Sequence, residues 1–125
     1  MSGSSVRIPG PDHPITVEPS PGRVVVTAGG TVVANSATAL CLREASYPPV
    51  HYIPRGDVDM AALERTATVT HCPYKGDASY YAVRGGTGGD VAWSYEAPHA
   101  AVAAIAGHLA FYGERVDAIA LPERD

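Results

Sequence analysis

The chain has 125 residues, of which 46% are hydrophobic and 18% charged, and its formal net charge is −4. This size and composition predict one globular domain and exclude repeat arrays, multidomain proteins and disordered chains. The eight arginines are scattered singly, so the sequence offers no basic track for nucleic acid. The remaining cation, Lys75, is the only lysine.

The same composition limits location and cofactors. No apolar stretch approaches the roughly 20 residues that span a bilayer, and the first residues lack the hydrophobic region of a signal peptide. We therefore expect a cytoplasmic protein with no membrane contact. Cys41 and Cys72 are too few for a disulfide framework, and the five histidines lack metal-ligand spacing. The sequence thus predicts no metal site and identifies no cofactor.

The N-terminal stretch differs from the rest of the chain. Residues 1–22 hold five of the eleven prolines together with serine and glycine, which favours a flexible, extended arm over packed structure. We expect a single globular domain over residues 23–121 and a polar tail over residues 122–125.

Short β-rich runs dominate the predicted domain. Residues 23–27 and 31–34 are joined by a glycine turn and predict a hairpin. Residues 40–44 favour a strand, although a helical turn over 37–42 is the alternative. His51 to Ile53 predicts a short strand that Pro54 ends.

A short helix is predicted over Met60–Arg65, with Asp57 or Asp59 as its cap. Further strands are predicted over 66–70, 79–83 and 91–95. The stretch 72–77 forms a tight connection between the first two, and glycines 85–89 form a turn before the third.

Pro98 opens an alanine-rich helix that Gly107 closes, and residues 109–112 and 116–119 predict a final hairpin. The total is seven or eight strands and two short helices. Because strands do not alternate with long helices, the fold class is mainly β, with antiparallel hairpins that form a small barrel or a folded pair of sheets.

The connection Cys72-Pro-Tyr-Lys-Gly-Asp77 is the richest stretch in reactive side chains. Cys72 is a candidate nucleophile if a nearby cation lowers its thiol pKa, and Lys75 can bind an anion or form a Schiff base. His71 is adjacent to Cys72, and on a strand adjacent side chains point to opposite faces. The alternative is a plain hairpin connection shaped by Pro73 and Gly76.

Aromatic residues accompany these groups. Tyr52 precedes Arg55 by three residues at a strand end, and Trp93 and Tyr95 lie on one strand face. Aromatic walls with a lysine and an arginine favour a pocket for a planar or anionic small molecule. Ordinary core and rim packing is the alternative interpretation of the same aromatics.

Two further patterns indicate no chemistry. Glycines 85–89 lack the Gly-Lys-Ser/Thr ending of a phosphate-binding loop and are not followed by a helix. The pair Asp57 and Asp59 resembles the carboxylates that hold magnesium in nucleotidyl transfer, but the expected preceding Gly-Ser is missing.

Four strings of the sequence resemble the bacterial and fungal family called domain of unknown function 427. They are Tyr52-Ile-Pro-Arg55-Gly-Asp57-Val58, Cys72-Pro-Tyr-Lys-Gly76-Asp-Ala78-Ser-Tyr80, Ala92-Trp-Ser-Tyr95 and Ala110-Phe-Tyr112. The resemblance covers about residues 14–120 and implies a small, mostly antiparallel β domain without an established activity. The label nucleotidyltransferase-like, sometimes given to the family, finds no support in the residues of this chain.

The family's motif positions converge, by hypothesis, on one pocket. In this hypothesis Lys75, Cys72 and Glu44 are the candidate catalytic residues, with Glu44 paired to Arg55 or acting as a general base. The candidate ligand-binding residues are Tyr52, Arg55, Tyr74, Trp93 and Tyr95. The competing hypothesis is an interaction module without catalytic activity, whose partner is another protein or a second copy of the chain.

Overall fold

A computed structural model of the chain describes residues 7–121. The described residues form ten strands and three 3₁₀ helices. The strands are β1 (Ile15–Pro19), β2 (Val24–Ala28), β3 (Thr31–Ser36), β4 (Leu40–Glu44), β5 (Val50–Tyr52), β6 (Leu63–Cys72), β7 (Gly76–Val83), β8 (Asp90–Ser94), β9 (Leu109–Phe111) and β10 (Ala118–Ala120). The 3₁₀ helices span Arg55–Asp57, Met60–Ala62 and Ala100–Ile105.

The ten strands form three antiparallel sheets. Their orders are β1-β4-β5, β10-β2-β3 and β6-β7-β8-β9. The predicted mainly β, antiparallel fold class is therefore confirmed. A small barrel does not form, because every sheet is open within residues 7–121. In that described range, no helix has the length and apolar character needed to cross a bilayer.

The four-stranded sheet is packed on both faces. Tyr81, Ala92 and Phe111 project from one face into a core shared with the sheet β10-β2-β3. Ala78 and Ala110 project from the other face into a second core with Leu42 and Tyr52 of the sheet β1-β4-β5. This alternation follows from the strand period of two, and it places the second core next to the candidate site residues.

The hairpins that local sequence encodes are present. β2 and β3 pair through the turn at Gly29 and Gly30, whose positive φ angles of 62° and 83° suit glycine. β6 and β7 pair with Cys72 opposite Gly76, so the stretch 72–77 is the tight connection that the sequence predicts.

Part of the predicted arm is a strand. Residues Ile15 to Pro19 form β1 and pair with β4 along its whole length, and Ile15 and Val17 pack against the second core. The many prolines of this stretch argued against a strand in the sequence. The strand forms nevertheless because Pro19 occupies its last position, where a missing amide donor is tolerated. Residues 1–6 of the predicted arm and the predicted tail 122–125 lie outside the described residues.

The helix predicted over residues 60–65 and its predicted aspartate cap are both wrong. The helix predicted over Met60–Arg65 is one 3₁₀ turn, because Leu63 begins β6 and is buried in the first core. Neither predicted aspartate caps it: Asp59 makes no side-chain cap hydrogen bond, and Asp57 accepts from Ser36 instead, at 2.7 Å.

The predicted final hairpin is also wrong. Residues 109–111 form β9 and pair with β8, whereas residues 118–120 form β10 and pair with β2. The two strands therefore join different sheets. The helix predicted after Pro98 is present in part, as 3₁₀ turns interrupted at Val102, whose φ and ψ are −125° and 29°.

Candidate functional site

A cavity of about 290 Å³ lies beside the second core. β4, β5, β7, β8 and the turn before β7 each place side chains in it. Its lining residues are Leu42, Glu44, Tyr47, Pro48, Val50, Tyr52, Lys75, Tyr80, Trp93, Tyr95 and Tyr112. We call it the Lys75 cavity.

The turn from β6 to β7 delivers Lys75 to the cavity. The amide of Lys75 donates to the carbonyl of Cys72 at 3.2 Å, and its carbonyl accepts from the amide of His99 at 3.0 Å. Gly76 follows with a φ of 111°, which lets the chain enter β7 directly after the lysine. These contacts fix the backbone on both sides of the only lysine.

The lysine ammonium forms an ion pair with Glu44, the last residue of β4. Both side chains are largely buried, with exposed fractions of 10% for Lys75 and 14% for Glu44. A buried charge requires a partner because desolvation is costly. This pair replaces the predicted pair between Glu44 and Arg55, which is wrong.

The second carboxylate oxygen of Glu44 is held by His13, with Nε2 and Oε2 2.7 Å apart. The imidazole of His13 in turn stacks on Tyr74 with ring centroids 4.0 Å apart. Burial alone would raise the pKa of Glu44, but the hydrogen bonds and charges of Lys75 and His13 outweigh it and lower that pKa below its ordinary value. Glu44 is therefore ionised at neutral pH.

Aromatic rings form the walls above this ion pair. The indole Nε1 of Trp93 donates to the hydroxyl of Tyr52 at 3.2 Å, and Tyr112 lies against the same indole with ring centroids 4.5 Å apart. The ammonium of Lys75 lies 5.8 Å from the ring centroid of Tyr95, within cation–π range.

The phenols of the walls keep their protons. Desolvation raises the pKa of Tyr52 and of Tyr95, and it raises the pKa of Tyr112 to about 12. The oxygen of the Tyr52 hydroxyl accepts the indole N–H, which leaves the hydroxyl's own proton as a donor. The cavity thus offers neutral hydroxyl donors together with a compensated ion pair.

Five of the eight predicted site residues line the Lys75 cavity and three do not. The five are Glu44, Tyr52, Lys75, Trp93 and Tyr95. Tyr74 contacts it indirectly through His13, and Cys72 packs against the second core without lining the cavity.

Arg55 lies elsewhere, so its predicted convergence with Lys75 is wrong. Its guanidinium donates to the hydroxyl of Tyr81 at 2.8 Å and pairs with Glu96 at 3.6 Å. Tyr81 belongs to the first core, on the face of β7 opposite the Lys75 cavity. His71 also lies away from the cavity, and its Nδ1 is 2.7 Å from Oδ1 of Asp77.

Four histidine or tyrosine residues at the cavity were not among the predicted site residues. They are His13, Tyr47, Tyr80 and Tyr112. Tyr80 and Tyr112 lie in the strings that carry the family resemblance, which was a usable signal. No sequence signal pointed to His13, because it lies in the proline-rich stretch, 31 residues before its partner Glu44.

The fold and the cavity define a small, mainly antiparallel β protein with a lysine–glutamate pair beneath aromatic walls. The chain belongs to the family described as Domain of unknown function (DUF427), whose model matches residues 16–121. No curated protein matches the chain.

Proposed function

We propose that the Lys75 cavity binds a small, planar, uncharged molecule that carries a hydrogen-bond acceptor. The observation that carries this proposal is the largely buried ion pair of Lys75 and Glu44 at an aromatic-walled cavity. Concave aromatic pockets with a few placed polar groups are the usual form of small-molecule sites.

Charge compensation favours an uncharged ligand over an anionic one. Glu44 neutralises Lys75 inside the cavity, and Arg55 pairs with Glu96 outside it. An anion would lie near the carboxylate of Glu44 and would have to compete with it for the ammonium. A neutral acceptor can take one of the three ammonium hydrogens and leave the ion pair in place.

The aromatic walls favour a planar ligand. Tyr52 and Trp93 meet edge to face, with ring planes at 89°, and Tyr112 is tilted by 45° against the same indole. Aromatic rings interact best in offset-stacked or edge-to-face arrangements. A flat ring can therefore contact these walls over more of its surface than a puckered ring of the same size.

The indole N–H of Trp93 gives a direct measurement, because the chain has a single tryptophan and hence one indole cross-peak in a ¹H–¹⁵N spectrum. We expect phenol to shift this peak in a saturable manner. Cyclohexanol, which is puckered, and benzoate, which is anionic, are expected to bind at least about tenfold more weakly, a difference of about 1.4 kcal/mol.

Two variants locate the binding. Lys75→Met combined with Glu44→Gln removes the ion pair without leaving an unpaired charge, and it should abolish the phenol shift. Arg55→Met removes a cation outside the cavity and should leave the shift unchanged. Equal binding of phenol and benzoate would contradict the preference for an uncharged ligand. No shift with any compound, together with concentration-dependent self-association, would favour the interaction module instead.

A further inference from the structure

A second cavity, of about 310 Å³, shares part of its lining with the first. We call it the Val26 cavity. Its lining residues are Val24, Val26, Pro49, Val50, His51, Ile53, Trp93, Phe111, Gly113, Ile119 and Leu121. Most of them are aliphatic or aromatic, and Val24, Val26, Ile53 and Phe111 belong to the buried cores.

The lining of the Val26 cavity contains no ionised carboxylate, lysine or arginine. Its one titratable side chain is His51, whose pKa is lowered first by burial and then by the charge of Arg43. The imidazole is therefore neutral at neutral pH. Such a lining suits an apolar group, since burial of apolar surface is favourable and no charge needs a partner there.

The two cavities share two lining residues, Val50 and Trp93. The loop between β4 and β5 continues from one to the other. Pro48 lines the Lys75 cavity and the next residue, Pro49, lines the Val26 cavity. One chain segment and one indole thus bound both spaces.

We infer that the two cavities together bind a single ligand, a planar head in the Lys75 cavity with an apolar chain in the Val26 cavity. This inference rests on the proposed function, which supplies the head. Tyrosine hydroxyls and the ion pair line the first cavity only, and the walls of the second are apolar apart from His51 and the shared indole of Trp93. The preferred ligand class is therefore a ring with an acceptor at one end and an alkyl substituent at the other.

A series of 4-alkylphenols with chains of two, four and six carbons tests the inference, with phenol as the parent compound. The Trp93 indole peak reports binding by each compound. We expect the dissociation constant to fall about three- to fourfold for each buried methylene, until the chain reaches the end of the Val26 cavity.

Gly113→Leu fills the Val26 cavity from its wall. The φ of Gly113 is compatible with other residues, and an added Cβ would meet only Cδ1 of Ile119, at 3.9 Å. This variant should bind phenol like the parent protein and lose the gain from chain length. The matched control is Gly88→Leu, where an added Cβ meets nothing within 4 Å and the residue lines neither cavity. If Gly113→Leu does not fold, Ile119→Phe fills the same cavity from β10.

The outcomes separate the two claims. If phenol binds but longer chains bring no gain, or if the gain survives Gly113→Leu in a folded protein, the inference is overturned and the proposed function stands. If phenol itself causes no shift, the proposed function fails. If only the longer compounds bind, the Val26 cavity is a separate apolar site and the single-ligand inference is overturned.

Discussion

The Glu44 carboxylate accepts hydrogen bonds from two side chains, Lys75 at Oε1 and His13 at Oε2. Removing one partner of a buried ion pair leaves the other charge desolvated and unpaired, which costs about 3 kcal/mol or more. We therefore expect Glu44→Gln to lower the free energy of unfolding by about that amount, as measured by urea denaturation at pH 7.

The matched control is the double variant Glu44→Gln with Lys75→Met. The double variant leaves neither charge of this pair desolvated without its partner, which is the main cost of breaking a buried ion pair, so it should recover much of the loss. If the single and the double variants are equally destabilised, the ion pair is not the cause.

Acid should reproduce the effect of Glu44→Gln. The pKa of Glu44 is lower in the folded protein than its ordinary value of 4.5, so the folded state binds this proton less readily than the unfolded state. The contribution of Glu44 is complete above the ordinary pKa and is lost as the pH falls through the folded value. Urea denaturation between pH 5 and pH 2 should show a flatter pH dependence in Glu44→Gln than in the parent protein. Parallel curves would contradict this.

His51 should act in a higher pH window. Burial and Arg43 lower its pKa from 6.5, so the unfolded chain binds the proton more readily, and stability falls as the pH drops below about 6.5, by at most about 1.4 kcal/mol per pH unit. His51→Asn should remove this component while the difference from the parent stays constant above pH 7.5. Thermal unfolding at pH 5.5, 6.5 and 7.5 measures it. The same slope in both proteins would show that His51 is not responsible.

Much of the candidate site could be predicted at the level of single residues. Lys75 stood out as the only lysine in an arginine-rich set of cations, and Trp93 and Tyr95 share a strand pattern. The partner of Glu44 could not be predicted. The sequence favoured Arg55 as that partner, and only the packing of β4 against the β6–β7 turn places Glu44 beside the lysine.

At the level of elements, Gly76 determines how β7 begins. Its φ of 111° is unfavourable for any residue with a side chain, although an added Cβ would meet its nearest atom only at 3.5 Å. We expect Gly76→Ala to lower the free energy of unfolding by about 2 kcal/mol through the backbone. Because Lys75 precedes this residue, the phenol shift at Trp93 should weaken as well.

Gly88→Ala is the control for Gly76→Ala. Its φ lies outside the left-handed region and an added Cβ meets nothing within 4 Å, so stability should change by less than about 1 kcal/mol. Urea denaturation compares the two variants. Equal effects at both positions would show that the turn at Gly76 tolerates a side chain.

The elements that the sequence predicted well are those whose information is local. The hairpin β2–β3 and the turn between β6 and β7 depend on glycines and β-branched runs within a few residues. The predictions over 60–65 and 109–119 were wrong because distant contacts decide them. Leu63 is drawn into the first core as β6 begins, and β10 pairs with β2, more than 80 residues away in sequence.

For the whole molecule, the N-terminal stretch is part of the architecture of the site. β1 covers the free edge of β4, the amide of Ala45 donates to the carbonyl of Pro14 at 2.8 Å, and His13 holds Glu44. A domain that begins at residue 23 would lack all three contacts. Whether such a shortened domain folds is therefore a test of how the whole molecule supports its cavity.

We expect a chain that begins at Arg23 to melt at least about 10 °C lower than a chain that begins at Arg7, which keeps every described contact. The shortened chain exposes the edge of β4 and the apolar side chains of the second core that Ile15 and Val17 cover. Because Glu44 ends β4, the phenol shift at Trp93 should be lost together with the stability. Circular dichroism and the indole peak measure the two effects. Equal melting temperatures and an unchanged shift would show that the domain does begin at residue 23 and that β1 and His13 contribute neither to its stability nor to phenol binding.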